Sequence, residues 1–413
     1  MAAPNKKESA ATPSNRLMGR IPALWRDRLR LLGDISQTQG SAACLVGGSV
    51  RDLYLRVPSL DWDVVVEGST TRLLQELAKR WSSRITWHPS FLTATVHFPD
   101  GTTMDVASAR RETYVQPAAL PIVEPAALRE DFQRRDFSVN AMALHVTPDR
   151  WGDLEDPFQG RLDVDRKTLR ILHAKSFEDD PTRLFRLIRY AGRFNFRPSS
   201  ETRTRMEEAF SKKYADRLSP ARKRAELEAM AAELKATPVF ERLFRWGGSV
   251  FFDPAWAWTP FHRRCLDALS PDSREDRILY RWLVLSRYQT PAEAQNACRR
   301  LETPKETTIS VRRSLEILNQ LEKDQVPMDS RWDNLAPVVQ EFIRKALPRS
   351  SPLRRFERSR PLLTGDDLLR LGYKPGKLYH AIFEKIRRER WSGRMKTRAQ
   401  EIQFIIDNFP RND

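Results

Sequence analysis

The stretch Gly47–Val66, GGSVRDLYLRVPSLDWDVVV, decides the fold of the first part of the chain. A short apolar run, Ala43–Val46, precedes it, and the two glycines that follow predict a strand ending in a turn. We then expect a helix over Val50–Leu55 and a second strand over Asp61–Val66. Glycines let the backbone approach a ligand closely, and the free N–H groups of a helix start attract phosphate. The stretch therefore predicts a strand–turn–helix–strand unit with an anion site at its turn.

Two aspartates, Asp61 and Asp63, stand at the start of the second predicted strand. Residues i and i+2 of a strand point to the same face, so both carboxylates are expected on one face with Trp62 opposite. A hard divalent cation would relieve their repulsion, and Mg²⁺ binds carboxylate oxygens together with substrate phosphates. Asp105, on a later strand, is a third candidate carboxylate. Taken alone, Asp61 and Asp63 are better interpreted as surface aspartates of a solvated turn. The motifs described below favour the metal site instead.

The secondary-structure pattern changes along the chain. A helix is predicted over Thr71–Trp81, and a β-hairpin is predicted over Thr93–Phe98 and Thr102–Val106. From Phe177 onward, apolar residues recur at three- and four-residue spacing, which predicts helices. The segment Pro348–Pro361 is basic and bounded by prolines, as is typical of a linker. The predicted fold class is therefore an α+β head followed by helical domains.

Composition restricts the class of protein. The chain has 413 residues, of which 40% are hydrophobic and 30% charged, so it is globular. Its 71 Lys and Arg against 54 Asp and Glu give a formal net charge of +17, which makes a polyanion the first partner to consider. No apolar run approaches the ~18 residues of a membrane helix, so no membrane association is expected.

Cysteine and histidine usage points to a reducing compartment without a zinc site. The 3 cysteines, Cys44, Cys265 and Cys298, form no CxxC pair, and the 6 histidines are scattered. Residues 1–20 lack the apolar core of a secretory signal and are predicted to be a disordered leader. We expect a cytoplasmic protein.

A set of motifs in fixed order carries a resemblance to one enzyme family. The motifs are GGSVRD (Gly47–Asp52), DWDVVV (Asp61–Val66), EDFQRRDFSVNAMAL (Glu130–Leu144), LEDPFQGRLDVDRKTLRIL (Leu154–Leu172), FEDDPTRLFRLIRYAGRFNF (Phe177–Phe196) and LSPARKRAEL (Leu218–Leu227). Together they resemble the class II tRNA nucleotidyltransferases and bacterial poly(A) polymerases, members of the polymerase-beta-like nucleotidyltransferase superfamily. The resemblance covers about residues 43–230, and Leu362–Ile382 is similar to a C-terminal helical module of these enzymes.

The resemblance implies a domain organisation and an activity. It implies a mixed-sheet nucleotidyltransferase head followed by an all-α neck, body and tail. It further implies template-independent addition of C and/or A, from CTP or ATP, to the 3′ end of tRNA, with the tRNA bound at its 3′ end and elbow. No obligate protein partner is expected. The implied boundaries are 1–20 for the leader, 21–150 for the head, 151–230 for the neck, 231–350 for the body and 351–413 for the tail.

The resemblance also assigns the site residues. Asp61 and Asp63 would hold Mg²⁺, and Asp105 would be a third catalytic carboxylate. The nucleotide-binding residues so implied are Gly47, Gly48, Arg51, Arg134, Arg135, Asp136, Asp180, Arg183, Arg186 and Arg189.

The pair Asp180 and Arg183 suits a choice between bases. C and A both present an amino donor beside a ring-nitrogen acceptor, whereas U and G reverse that order. A carboxylate accepts from the amino group while a guanidinium donates to the ring nitrogen, so the pair can accept C and A only. Without the family resemblance, a surface helix with paired charges would be the better interpretation of these residues.

Two further segments have weaker assignments. Arg110–Phe132 corresponds to a flexible loop of the family, and its spaced prolines predict a mobile cover with few core contacts. Arg222 and Glu226 fall where the family has a helical brace, and we expect them to support the structure. The alternative for Arg110–Phe132 is a plain connection. The alternative for Arg222 and Glu226 is an ion pair on the surface of a helix.

Several functions share these motifs. A CCA-adding enzyme, an enzyme restricted to A or to CC addition, and a poly(A) polymerase are not separated by them. Two other classes are a small-molecule nucleotidyltransferase and a catalytically inactive RNA-binding relative. The net charge of +17 argues against the first, and intact Asp61, Asp63 and Asp105 argue against the second.

The basic pairs of the helical half, such as Arg263-Arg264, Arg299-Arg300 and Arg312-Arg313, predict contacts with RNA phosphates. We therefore expect the affinity for tRNA to fall at least tenfold between about 50 and 200 mM salt, because each phosphate contact releases counterions. Equilibrium binding of labelled tRNA over a salt series measures this. A flat response would contradict the prediction.

Overall fold

The computed structural model describes residues 17–58, 61–269, 271–323, 335–348 and 359–410, together with 351, 353 and 357. The chain forms two compact units. The first contains residues up to Glu226 and Pro238–Phe251, and the second contains Leu227–Thr237 and the chain from Phe252 onward. The boundaries expected for head, neck, body and tail stay a prediction.

Two predicted segments fall partly outside the described residues. The linker Pro348–Pro361 is one of them, and the leader 1–20 is described only at its last four residues. Within those four, Leu17 and Met18 are buried, and Arg20 donates a hydrogen bond of 2.7 Å to the carbonyl of Leu53. Residues 17–20 therefore belong to the folded first unit, which corrects the end of the predicted leader.

A mixed seven-stranded sheet lies at the centre of the first unit. The strands of this unit are β1 Ala43–Val46, β2 Asp63–Val66, β3 Arg84–His88, β4 Thr93–His97, β5 Thr103–Ser108, β6 Arg110–Thr113, β7 Ile122–Pro125, β8 Ala143–His145, β9 Leu154–Glu155, β10 Thr168–Leu169 and β11 Arg197–Pro198. The large sheet has the order β3-β4-β5-β2-β1-β8-β9, in which β2 and β5 pair in parallel and the other neighbours are antiparallel. Two-stranded ribbons are formed by β6 with β7 and by β10 with β11.

Helices pack around this sheet and continue the chain. The helices of the first unit are α1 Ala23–Thr38, α2 Gly48–Leu55, α3 Thr70–Trp81, α4 Leu128–Gln133, α5 Gly160–Asp165, α6 Ser176–Asp179, α7 Thr182–Phe194, α8 Ser200–Ser211, α9 Pro220–Ala232 and α10 Thr237–Arg245. Helix α9 begins in the first unit and ends in the second. The α+β class predicted for this part of the chain is thus confirmed.

The second unit is helical in its described residues. Its helices are α11 Pro260–Cys265, α12 Arg274–Leu285, α13 Pro291–Arg300, α14 Lys305–Glu322, α15 Pro337–Ala346, α16 Gly365–Arg370, α17 Lys377–Trp391 and α18 Arg398–Asn408. The last three surround a small apolar core that includes Leu368, Ile382 and Ile405. None of the described helices is long and apolar enough to cross a membrane.

The element boundaries near the decisive stretch mostly follow the sequence prediction. Strand β1 has the predicted bounds, and β4 and β5 form the predicted hairpin. The predicted strand Asp61–Val66 is wrong at its start, because β2 begins at Asp63. Asp61 therefore precedes the strand, and the argument from strand alternation does not apply to it.

Helix α7 is amphipathic and packs closely against α10. Leu184, Leu187 and Ile188 are fully buried, whereas several arginines lie on the opposite side of the helix. At Gly192, a Cβ atom would lie 2.5 Å from both the Cα and the Cγ2 atoms of Val239. Glycine at this position therefore lets the two helices approach, which fixes the place of α7.

We expect Gly192→Ala to lower the free energy of unfolding by about 1–3 kcal/mol, because the added methyl group overlaps a neighbouring backbone. Urea denaturation measures this. Gly376→Ala is the control, since a Cβ atom there would meet nothing within 4 Å. Equal stability of the Gly192 variant and the wild type would contradict the close-packing argument.

Candidate active site

A cavity of about 480 Å³ in the first unit collects the predicted nucleotide- and metal-binding residues. Asp105 is the exception, because it lines a neighbouring cavity together with Asp63. The predicted residues that line the first cavity are Gly47, Gly48, Arg51, Asp61, Asp63, Arg134, Arg135, Asp136, Asp180, Arg183, Arg186 and Arg189. Their individual roles stay predictions.

The glycine turn is constrained in two ways. Gly47 has a φ of 69°, in the left-handed region that favours glycine, and it precedes α2. A Cβ atom at Gly47 would lie 2.8 Å from Nη1 of Arg135. The turn therefore depends on glycine, and it brings bare backbone to the cavity wall.

Arg51 is held rigidly at the edge of this turn. Its Nε and Nη2 groups donate to Oδ1 of Asp52 at 2.9 and 2.7 Å, and Nη1 donates to Oδ1 of Asn140 at 2.5 Å. The guanidinium also lies over the rings of Tyr190 and Phe194, with its Cζ atom 5.1 and 4.5 Å from their centroids. Arg51 thus lines the cavity with a fixed orientation rather than as a mobile surface charge.

The strand register places two of the three carboxylates side by side, and Asp61 precedes the strand close to them. In the parallel pair of β2 and β5, Asp63 lies directly opposite Asp105. The Ser49 hydroxyl donates to the Asp61 carbonyl at 2.7 Å and accepts from the backbone N–H of Asp63 at 3.3 Å. Burial, followed by the charges of Asp105 and Asp61, raises the pKa of Asp63 to about 6. The carboxylates are therefore close enough to repel one another.

These carboxylates suit a hard divalent cation by their chemistry. Among the described residues, no group of three or more His, Cys, Asp or Glu side chains is arranged to hold a metal ion. Mg²⁺ commonly binds through one or two carboxylates and takes its other ligands from substrate phosphates and water. Asp61 and Asp63, which line one cavity and whose repulsion a cation would relieve, fit that pattern.

The arginine motif is anchored by buried acids. Asp131 is fully buried; Oδ1 accepts from Nε of Arg134 at 2.8 Å, and Oδ2 accepts from Nη2 of Arg135 at 2.8 Å. Arg134 also donates from Nη1 to Oε1 of Glu112 at 3.0 Å. The two arginines therefore line the cavity as parts of an ion-pair network, and Asp131 orients both.

Asp136, the third residue of that motif, connects the sheet side of the cavity to α7. Its Oδ2 atom accepts from Nε of Arg186 at 2.7 Å, and its Oδ1 atom accepts from Nδ2 of Asn140 at 2.9 Å. Burial opposes ionisation of Asp136, but Arg186 and Asn140 outweigh it and hold its pKa at about 2. Asp136 is therefore charged at neutral pH and acts as a structural tie.

Asp180 is oriented by donors on one side of its carboxylate. In the described part of the chain these donors all meet Oδ1: the Thr182 N–H at 3.0 Å, the Thr182 hydroxyl at 2.6 Å, and Nη2 of Arg222 at 2.7 Å. The Oδ2 atom lies 4.0 Å from Nε of Arg183. The predicted base-reading carboxylate and guanidinium are thus adjacent, and Oδ2 is the oxygen that remains to accept from a ligand.

Arg183 is equally well anchored. Its Nη1 group donates to the Ser176 hydroxyl at 2.8 Å and to Nε2 of His173 at 3.3 Å, and Nη2 donates to the Arg134 carbonyl at 2.6 Å. Burial and the charge of Arg183 lower the pKa of His173 to about 4, so its ring is neutral and can accept. The described residues accept from three of the five N–H groups of the guanidinium, so the one on Nε and one on Nη2 remain for a ligand.

Several cavity-lining residues were missed by the sequence analysis. Arg193 continues the arginine stripe of α7, with Nη2 at 3.9 Å from Oδ2 of Asp52. Its position one helical turn beyond Arg189 was a usable signal. Ser49 and Asn140 lie inside the motifs GGSVRD and EDFQRRDFSVNAMAL, whereas Glu112 and Tyr114 are brought in by packing between segments distant in sequence. The residues concerned are Ser49, Asp52, Glu112, Tyr114, Asn140, Tyr190 and Arg193.

The predicted loop differs from expectation, whereas Arg222 of the predicted brace supports the structure as expected. Arg110–Phe132 contains the ribbon of β6 and β7, and Ala118 within it is buried, so the expectation of few contacts is wrong. Arg222 donates to the Ala118 carbonyl at 2.7 Å as well as to Asp180. The segment is therefore tied to Asp180 through one guanidinium.

Known proteins are similar to this chain in sequence and in structure. A family model described as the poly(A) polymerase head domain matches residues 43–170. An A-adding tRNA nucleotidyltransferase of Halalkalibacterium halodurans is 29% identical over 94% of this chain and 94% of its own length. Another, of Geobacter sulfurreducens, is 32% identical over 92% of this chain, which spans 46% of that protein.

A solved structure is also similar to this chain over almost its whole length. The complex of a CCA-adding enzyme with CTP has a TM-score of 0.69 at 25% identity, and the match covers 96% of this chain and 98% of the other. The head-domain model and these relatives support the family predicted from the motifs, that of class II tRNA nucleotidyltransferases and bacterial poly(A) polymerases, and the chain is a nucleotidyltransferase.

Proposed function

We propose that this protein adds C and/or A, from CTP or ATP and without a template, to the 3′ end of tRNA. The observation that carries the proposal is the adjacent pair of Asp180 and Arg183 at the wall of the main cavity. Two relatives matched over more than nine-tenths of this chain are named tRNA nucleotidyltransferases, which supports the substrate class. The reaction extends the RNA by one nucleotide and releases pyrophosphate.

Base selection follows from the hydrogen-bonding groups that the pair leaves for a ligand. Oδ2 of Asp180 accepts from the amino group of C or A, and an N–H of Arg183 donates to the adjacent ring nitrogen. With U or G, a carbonyl oxygen would face the carboxylate and an N–H would face the guanidinium. Buried polar groups would then be left unpaired, and this discriminates strongly.

The other cavity residues bind the triphosphate and orient the reacting groups. The backbone N–H of Gly48, at the first residue of α2, together with the guanidinium of Arg135, provides donors for phosphate oxygens, whereas the N–H of Gly47 already donates to the Met142 carbonyl at 3.2 Å. Membership of this family implies dependence on a divalent metal, and we propose Mg²⁺ held by Asp61 and Asp63. When bound there, Mg²⁺ would lower the pKa of the RNA 3′-hydroxyl and neutralise charge on the phosphates. We place the reaction in the cytoplasm.

A more specific candidate is addition of the terminal A alone. Two relatives that match more than nine-tenths of this chain are both named A-adding enzymes, which favours this narrower activity. An enzyme of this kind would extend tRNA ending in CC with ATP and would not use CTP.

The proposal is tested with tRNAs ending before CCA, after C and after CC, each offered with CTP or ATP alone. Asp61→Ala combined with Asp63→Ala should abolish incorporation, because the proposed metal ligands are lost, while circular dichroism stays unchanged. Addition of A only after CC identifies the A-adding activity. Retained activity in the double variant contradicts the mechanism, and no addition by the wild type to any tRNA favours the catalytically inactive RNA-binding relative.

Arg222 provides a second test, because it orients Asp180 and does not belong to the reading pair. We expect Arg222→Ala to raise incorporation of U and G relative to A roughly tenfold, since Asp180 loses a charged donor that holds its carboxylate in place. Single-nucleotide extension with each of the four triphosphates measures this. Exposed Arg217→Ala is the matched control, and unchanged selectivity in the Arg222 variant would contradict the orienting role.

A further inference from the structure

Trp62 stands between the two aspartates of the proposed metal site, and its backbone connects all three of the residues that carry carboxylates there. Asp61 precedes it and Asp63 follows it along the chain, and its carbonyl accepts from the backbone N–H of Asp105 at 2.9 Å. A movement of the Trp62 backbone would therefore change the positions of these residues relative to one another. The contacts that hold Trp62 in place bear directly on the geometry of the carboxylates.

The side chain of Trp62 is held by a second tryptophan, from the first helix. The Trp62 indole is buried, and it stacks on the indole of Trp25 of α1 with ring centroids 5.0 Å apart and an angle of 21° between the ring planes. Aromatic rings that contact one another in this way gain free energy in addition to what their burial contributes. The stack thus joins α1 to the residue between the two aspartates.

Trp25 is itself fixed by neighbours. The guanidinium of Arg28, also on α1, has its Cζ atom 4.7 Å from the centroid of the Trp25 ring and 3.6 Å from that of Phe98. Phe98 meets Trp25 edge-on, with ring centroids 5.7 Å apart. Arg28 in turn donates to the Thr102 hydroxyl at 2.9 Å and to Oδ2 of Asp100 at 2.8 Å, in the turn between β4 and β5. Trp25 therefore has little freedom to move.

The aspartates need such support because their carboxylates repel one another before a cation binds. Asp63 lies opposite Asp105 in the strand register, and Asp61 lines the same cavity as Asp63. Strand β2 begins at Asp63, so the strand ladder does not position Asp61. The Ser49 hydroxyl bonds the Asp61 carbonyl, and the stacked Trp62 constrains the next residue. Ligands that are already in place lose less conformational freedom when a cation binds.

We propose that Trp25 is a positioning residue for the metal site: by stacking on Trp62, it holds the backbone that carries Asp61 and Asp63 ready for a divalent cation. The inference rests on the proposed function, because the metal site is part of it. Trp25 supplies no metal ligand. Its loss therefore weakens the binding of a cation without removing any oxygen that contacts the cation.

Direct binding of Mn²⁺ tests this role, because Mn²⁺ shares the preference of Mg²⁺ for oxygen ligands and its free form is measured by electron paramagnetic resonance. We expect Trp25→Leu, which stays apolar but loses the ring, to raise the dissociation constant for Mn²⁺ roughly three- to tenfold. Trp25→Phe should stay close to wild type, since it keeps an aromatic ring. Trp81→Leu is the matched control, because Trp81 packs on Phe98 of the same aromatic cluster, with centroids 5.2 Å apart.

A mutant cycle shows whether the effect passes through the stack. Trp62→Leu should also weaken Mn²⁺ binding, and its combination with Trp25→Leu should be no weaker than Trp62→Leu alone. Effects that multiply in the double variant show that the two side chains act independently, and they overturn the inference. Arg28→Met leaves both indoles in place and removes one support of Trp25, so it should raise the dissociation constant about twofold.

The outcomes separate this inference from the proposed function. Wild-type protein that binds no Mn²⁺ overturns the metal site and the inference with it, and so does an Asp61→Ala and Asp63→Ala double variant that binds Mn²⁺ as tightly as wild type. With the metal site established, wild-type affinity in folded Trp25→Leu overturns the inference alone. If circular dichroism shows that Trp25→Leu does not fold, wild-type affinity in Arg28→Met overturns it. Equal weakening by Trp81→Leu also overturns it, because the effect would then be one of general packing.

Discussion

The ion pair between Asp136 and Arg186 is the interaction on which the main cavity depends. It joins the last residue of the arginine motif to helix α7, with 2.7 Å between Nε and Oδ2. A hydrogen bond from Arg183 to the Arg134 carbonyl also joins α7 to the arginine motif. Helix α7, which carries Arg183, also rests on α10 at Gly192. A buried charge that loses its partner is costly, so the two walls separate only at considerable energetic expense.

Much of this arrangement could be predicted from the sequence, because it depends on short-range rules. The bounds of β1, the hairpin of β4 and β5, and the turn before α2 follow from local patterns of apolar residues, glycine and proline. Asp180 lies just before α7, and its carboxylate accepts from the Thr182 N–H at 3.0 Å. The predicted roles of these residues in metal and nucleotide binding came from the family resemblance and not from the local sequence pattern.

The rest was not predictable because it depends on contacts between distant segments. Asp61 and Asp63 were expected to share a strand, but the Ser49 hydroxyl bonds the backbone at the strand entrance, and the strand begins only at Asp63. Likewise, nothing in the sequence near Glu112 shows that it will meet Arg134. Strand register and ion pairs of this kind are set by packing, so a single sequence carries little signal for them.

The anchoring of Arg183 has a consequence for how such an enzyme could change. Ser176, His173 and the Arg134 carbonyl hold its guanidinium before any ligand binds, so little orientation entropy is lost when a base enters. The order of hydrogen-bonding groups that a template strand would otherwise present is built into the polypeptide. If Asp180 or Arg183 alone were exchanged, the neighbouring groups that now hydrogen-bond to that side chain would lose their partner. A new base preference would therefore require the supporting side chains to change together with the pair.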